Sequence, residues 1–393
     1  MTAPAVWFPS RFAKVEEARR LYGDRTDRVG SMLMKSDDLA DRVVASFDER
    51  PRGEGWRLLE RGLRGEPIPD APAPLREMIE DAAHVPAWVD WKTTDRGGDL
   101  LMRAGALGGA VLGARSLVLG YASPGGNKPL VFSGRLGEKA AARLNETARF
   151  VQAVCRPSGM RPFAEGWQIT LKVRLIHAQV RKMLLASPRW DSKAWGIPAN
   201  QHDLAGTTLL FSASIIDGLR KLGLKISHEE AEAYIHLWRW VGRVIGVSPD
   251  ILPGSVPEAM RLADLIELTM GEPDQDSRDL TKALFQSAIE AARTKAELRA
   301  AHRSSRFGMV ICRELVGDDL ADKLAVPRQS ARHALPIIKR LVGAVERVSR
   351  VVPFGERSAV VVGTHYWDRV VEIGLQGATY EFPLPETLRN LAA

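Results

Sequence analysis

The chain has 393 residues, 45% of them apolar and 26% charged, with 55 Lys and Arg against 48 Asp and Glu. That is an ordinary globular composition, long enough to bury a large core. The net charge of +7 is dispersed, and the lack of a like-charge block argues against a nucleic-acid partner.

Helical periodicity runs along the chain. Apolar residues recur at spacings of three and four near 36–49, 54–63, 73–84, 97–122, 137–155, 167–187, 201–222, 227–246, 256–271, 277–300, 305–323 and 330–351. Ser227 and Glu230 have capping-box spacing at one such start. The N-terminus lacks a basic stretch followed by an apolar run, so no export signal is read and a cytoplasmic location is expected. Leu100–Gly120 looks membrane-like, but Arg103 and Arg115 leave too short an uncharged stretch to span a bilayer. A buried core helix, with Gly105, Gly109 and Gly113 permitting close approach, is the expectation, and no transmembrane segment is expected. Strand signals are confined to Val360–Val362 and Ala378–Phe382, which could pair as a short C-terminal hairpin. The expected fold class is all-α. Residues 1–90 form an N-terminal helical wrap and residues 91–393 one large helical domain, the two being continuous.

Two cysteines, Cys155 and Cys312, form no CxxC or CxxCH motif, which excludes zinc-ribbon chemistry and covalent c-type haem. A Cys155–Cys312 disulfide has nothing in the pattern to support it. No GxGxxG or Walker A motif occurs, so nucleotide chemistry is not indicated.

Histidine carries the most informative pattern. In TLKVRLIHAQVRKMLL, His177 shares a helix face with Val173, Val180, Arg174 and Arg181. A neutral imidazole there can ligate haem iron, and flanking arginines can hold propionates. The same pattern also suits a core or surface histidine between solvated arginines. Upstream, Arg143, Glu146 and Thr147 lie at i, i+3 and i+4. They can orient an oxygen species and move a proton, or form an ordinary helix-face pair. In WGIPANQHDLAGTTLLFS, Asn200 is a cap candidate, and His202–Asp203 lacks a nucleophile for a catalytic triad. The His228, Glu232, His236 stripe lacks the second helix of a di-iron site, so a solvated or internally paired face is the stronger reading.

Taken in order, RLNET at 143–147, VRLIHAQVR at 173–181 and the 195–212 segment resemble the latex clearing proteins (rubber oxygenases) and the mycophenolic-acid-type oxygenases over roughly residues 95–250. The resemblance implies a globin-like helical core around non-covalent haem b, with His177 as proximal iron ligand. Arg174 then matches the arginine of the histidine motif, and Arg143 and Thr147 match polar distal residues. Glu146 stands where latex clearing proteins carry a distal lysine, so no lysine can cap the iron from this position. Asn127 falls near their distal glutamate. The implied activity is a haem-dependent dioxygenase-type attack on a C=C bond of an apolar or isoprenoid substrate. Alternatives are a haem peroxidase or peroxygenase and a non-catalytic haem- or lipid-binding helical protein.

Overall fold

A computed structural model describes residues 7–132 and 140–375. The N-terminal helices are α1 (Val15–Tyr22), α2 (Arg25–Ser31), α3 (Asp38–Asp48), α4 (Glu54–Leu63) and α5 (Ala73–Ala83). The central ones are α6 (Trp91–Val111), α7 (Leu117–Ala122), α8 (Lys128–Phe132), α9 (Ala140–Cys155) and α10 (Glu165–Leu185). Next come α11 (Ser192–Trp195), α12 (Gln201–Phe211), α13 (Ala213–Lys221), α14 (His228–Val244) and α15 (Val256–Thr269). The last five are α16 (Gln275–Ala291), α17 (Lys295–Val316), α18 (Asp318–Lys323), α19 (Leu335–Val351) and α20 (Gly355–Leu375). The fold is all-α, with no strand among the described residues.

Helix α6 is the central support. It packs against α14, α20 and α9. Glycines set the separation: a Cβ on Gly97 would collide with the Ala233 carbonyl of α14, and one on Gly98 with the Cys155 carbonyl of α9. Gly363 of α20 meets the Met102 carbonyl in the same way. Of the expected Gly105, Gly109, Gly113 row, Gly105 approaches the Gly363 backbone and Gly109 the Tyr366 side chain of α20, and the backbone contacts to α14 and α9 fall at Gly97 and Gly98. Gly113 has nothing within 4 Å, and Gly105 also breaks the helix at φ 47°, ψ −122°. A π-turn at Leu112–Ser116 then joins α6 to α7. By length and composition Trp91–Ala122 is apolar enough to cross a membrane. Here it packs as a core helix. The side chain of Arg103 is buried, and its guanidinium reaches Glu346 and, at 2.5 Å, Glu230.

Several expected boundaries moved. Val360–Val362 is helical, within α20, because the face carrying Gly363 and Trp367 is buried against α6. Burial there overrides the β-branched preference. Ala378–Phe382 lies outside the described residues. The expected helix at 277–300 is two helices, since Thr294 and Glu297 form a capping box that starts α17. The 201–222 segment divides at Ser212 (φ −116°, ψ −86°), and the 305–323 segment at Gly317 (φ 85°). The Ser227–Glu230 capping box forms as expected. Cys155 and Cys312 are both free and buried, so no disulfide joins them.

The N-terminal helices are fastened to the rest by buried polar contacts. Arg174 of α10 donates Nε to Asp37 Oδ2 at 2.6 Å and Nη2 to Asp37 Oδ1 at 2.9 Å. Arg181 donates Nε to Asp41 Oδ1 at 2.8 Å and Nη1 to the Ala199 carbonyl at 2.7 Å. Arg11 holds Asp203 through two bonds of 2.7 and 2.8 Å, and Trp167 Nε1 donates to the Ala82 carbonyl at 3.0 Å.

Both sides of the Arg174–Asp37 pair are 6% exposed. Arg174→Ala is therefore expected to cost about 3–5 kcal/mol in urea unfolding, because it strands a buried carboxylate. The double variant Arg174→Met, Asp37→Leu should recover most of that loss. Equal losses in the two variants would contradict this account.

Candidate active site on helices 9 and 10

Helix α10 has two unlike faces. Thr170, Leu171, Arg174, Leu175, Ala178 and Arg181 are buried. Val173, His177 and Val180, on the flank of that face, are only half-buried. As the periodicity expects, both arginines lie beside the histidine, whose imidazole feels the Arg181 and Asp37 charges. Their guanidinium groups are taken up by Asp37 and Asp41, which fixes the rotation of α10 about its own axis.

His177 sits with Nδ1 fully enclosed and, among the described residues, without a hydrogen-bond partner. The residue as a whole is half-buried. Burial pushes the imidazole pKa down to about 4; the Arg181 charge adds to the drop and Asp37 opposes it. The ring is thus neutral at physiological pH, the state a metal requires.

Helix α9 packs against α10. At their junction a Cβ on Gly166 would come 2.7 Å from the Ala153 carbonyl, so Ala153 and Gly166 abut. Ten residues back from Ala153 is Arg143, and ten residues on from Gly166 is Ile176. Arg143 on α9 and His177 on α10 therefore both lie beyond this junction, toward the same end of the helix pair.

The Arg143 guanidinium has two buried nitrogens, Nε and Nη1, without a partner among the described residues. Buried N–H groups without a partner are costly, which makes Arg143 a candidate to meet a further group. Tyr121 of α7 stands nearby. Burial raises its phenol above the ordinary value, against the opposing pull of the Arg143 charge. Asn127 is buried, donating Nδ2 to the Tyr121 carbonyl at 3.0 Å and to Ser277 Oγ at 3.1 Å, while its Oδ1 has no partner among the described residues. Glu146 is half-buried. Thr147 donates Oγ1–H to the Arg143 carbonyl at 2.8 Å, which leaves its lone pairs but not its proton for a ligand. Below them Phe150 packs on Phe211 and Trp238, each with ring centroids 6.0 Å away; the last two rings stack at 5.3 Å and 15°. The sequence reading missed Tyr121 and this aromatic floor, because the rings come from helices far apart in the chain.

The remaining candidates sort into structural roles. Asn200 caps α12, accepting from the Asp203 amide at 2.9 Å. Burial favours a neutral Asp203, but the Arg11 charge and the bond from His202 prevail and hold it at about 2. His236 accepts from the Asp90 amide at 3.1 Å and meets Trp88 edge-on, and Glu232 accepts from the Val256 amide. A cavity of about 590 Å³ lies behind α12, lined by Asp203, Gly206, Thr207 and Leu210 of that helix and by Met260 of α15. The opposite face of α12, with Thr208 and Phe211, turns to α14 and α9.

The class that the fold and site define is an all-helical protein with a half-buried, neutral histidine on one of its central helices. Comparison then places it more narrowly. The family described as ER-bound oxygenase mpaB/B'/rubber oxygenase, catalytic domain, matches residues 101–347, and this chain belongs to that family of oxygenases. A rubber oxygenase of Streptomyces sp. (strain K30) is 25% identical over 311 residues, covering 78% of this chain and 73% of that protein. A solved structure of latex clearing protein LCP in the closed state shares the fold, with TM-score 0.69 and 22% identity over 86% of this chain and 91% of that one.

In the ligand-free protein, the His177 ring resonances should stay those of a neutral imidazole from about pH 8 down to about pH 5 and move only near pH 4. A midpoint close to 6.5, the ordinary histidine value, in an NMR titration would contradict the enclosed-ring geometry.

Proposed function

We propose that this chain is a haem b-dependent oxygenase that uses dioxygen to cleave a C=C bond in an apolar, polyisoprene-like substrate. The observation that carries this is the neutral His177 of α10, in a chain of an oxygenase family; Arg143 Nε and Nη1, buried and without a partner among the described residues, support it. The residues fit the group. A haem needs one protein ligand to its iron, an apolar wall, and donors for its oxygen-bearing substituents or distal oxygen.

His177 would hold the iron through Nε2. Arg174 and Arg181 contribute by locking α10 onto α3, so that the imidazole is presented at a fixed angle. They act as positioning residues, since Asp37, Asp41 and two backbone carbonyls occupy them. Arg143 offers two N–H groups to an anionic or oxygen-bearing group, and Thr147 offers an acceptor one turn on. Glu146 is the carboxylate placed to take or return a proton. Bound haem supplies the dioxygen chemistry, and the protein supplies position and field. Insertion of both atoms of dioxygen across a C=C bond leaves two carbonyl ends, so the overall reaction balances without an external reductant. The floor of Phe150, Phe211 and Trp238 suits an alkene chain rather than a polar substrate.

His177→Ala is expected to lose the Soret band of the purified protein, while His228→Ala and His236→Ala retain it. Full haem content in the His177 variant would remove the ligand assignment. Glu146→Gln should bind haem normally and form carbonyl products at least roughly tenfold more slowly, in line with removal of a general base. Unchanged turnover on a polyisoprene emulsion would remove Glu146 from the reaction.

A further inference from the structure

The outer face of α19 is unusual. Ile337, Leu341, Val345, Val348 and Val351 follow one another at spacings of three and four, and each is at least 60% exposed. The stripe continues through Val352 into Phe354, 72% exposed at the turn into α20, and onto Val361 and Val362. A 17-residue helix is about 25 Å long, so this is a continuous apolar ridge rather than scattered residues. Ridges of that kind mark interaction surfaces.

Charge identifies the partner. From Pro327 to Phe354 there are six basic side chains and one acid, Glu346, which accounts for five of the chain's seven net positive charges. Glu346 is buried on the opposite face, held by Arg103 and Arg350. Arg340 and Arg347, two turns apart, flank the apolar stripe on one side, both exposed and neither in an ion pair among the described residues. An apolar face edged by arginine is the pattern of a helix that lies in a membrane interface. A second copy of the chain fits less well. Two ridges meeting about a two-fold axis would crowd Arg340 and Arg347 of both copies along a seam that carries no acid.

We propose that α19 and the turn into α20 dock on an anionic lipid surface, with Val345 and Val348 in the acyl boundary and Arg340 and Arg347 at the phosphates. The ridge lies on helices other than α9 and α10, so docking does not occupy the His177 face.

The full chain is mixed with vesicles of phosphatidylcholine, with and without phosphatidylglycerol, and separated by flotation. It should float with the anionic vesicles and detach at high salt, as exposed charges are screened. Val345→Glu with Val348→Glu should lower the floated fraction roughly tenfold with an unchanged circular dichroism spectrum and melting temperature, since both side chains are exposed. Arg340→Glu with Arg347→Glu should abolish the preference for phosphatidylglycerol. The proposal is overturned if the wild-type chain stays at the bottom of the gradient, or if the valine variant floats equally well. It is also overturned if sedimentation shows a wild-type dimer, without lipid binding, that the valine variant turns into a monomer.

Discussion

Two buried arginine–aspartate contacts decide how the rest of the structure is used. Arg174 with Asp37, and Arg181 with Asp41, hold α10 against α3 over two helical turns. A buried guanidinium cannot stay unpaired at low cost, so these contacts admit only one rotation of α10. That rotation leaves Val173, His177 and Val180 half-buried beside the paired arginines, where the Arg181 and Asp37 charges reach the imidazole. The N-terminal helices therefore serve the site, although no residue of theirs was a site candidate.

The same physics explains which groups stand out. Most buried charges in this molecule are matched: Arg103 by Glu230 and Glu346, Asp203 by Arg11, Lys128 by Asp274. Among the described residues, Arg143 Nε and Nη1 and Asn127 Oδ1 are among the buried polar atoms without a partner, as are Arg115 Nε and Arg239 Nε. The unpaired Nδ1 of His177 belongs with them. The 590 Å³ cavity behind α12 holds both kinds of group: Asp203 is paired with Arg11, whereas Arg115 Nε, His202 Nε2 and Ser214 Oγ have no partner among the described residues.

Much of the architecture was legible in the chain. The periodic segments, the Ser227 capping box, the Asn200 cap and the buried nature of the apolar 100–120 stretch all follow from local spacing. Boundaries slipped where a local signal was overruled or overlooked. The β-branched run at 360–362 became helix because tertiary burial outweighs a propensity of well under about 1 kcal/mol per residue. The 277–300 segment split because a capping box at Thr294 had been read as helix interior. At the site, His177, Arg143, Glu146 and Thr147 were visible as helix-face patterns. The partners of Arg174 and Arg181 were not, since ion pairs between residues so far apart in the chain leave no periodicity.

Sequence by itself determined the helices, the histidine helix and, through the order of three short segments, the family that the comparisons bear out. Those features rest on spacing along one chain, which a sequence records directly. Only the tertiary structure decided which arginines are structural and which is left unpaired, and which apolar face stays in solvent. Those outcomes depend on which helix lies opposite, and burial sets the cost of an unpaired charge only once that neighbour is in place.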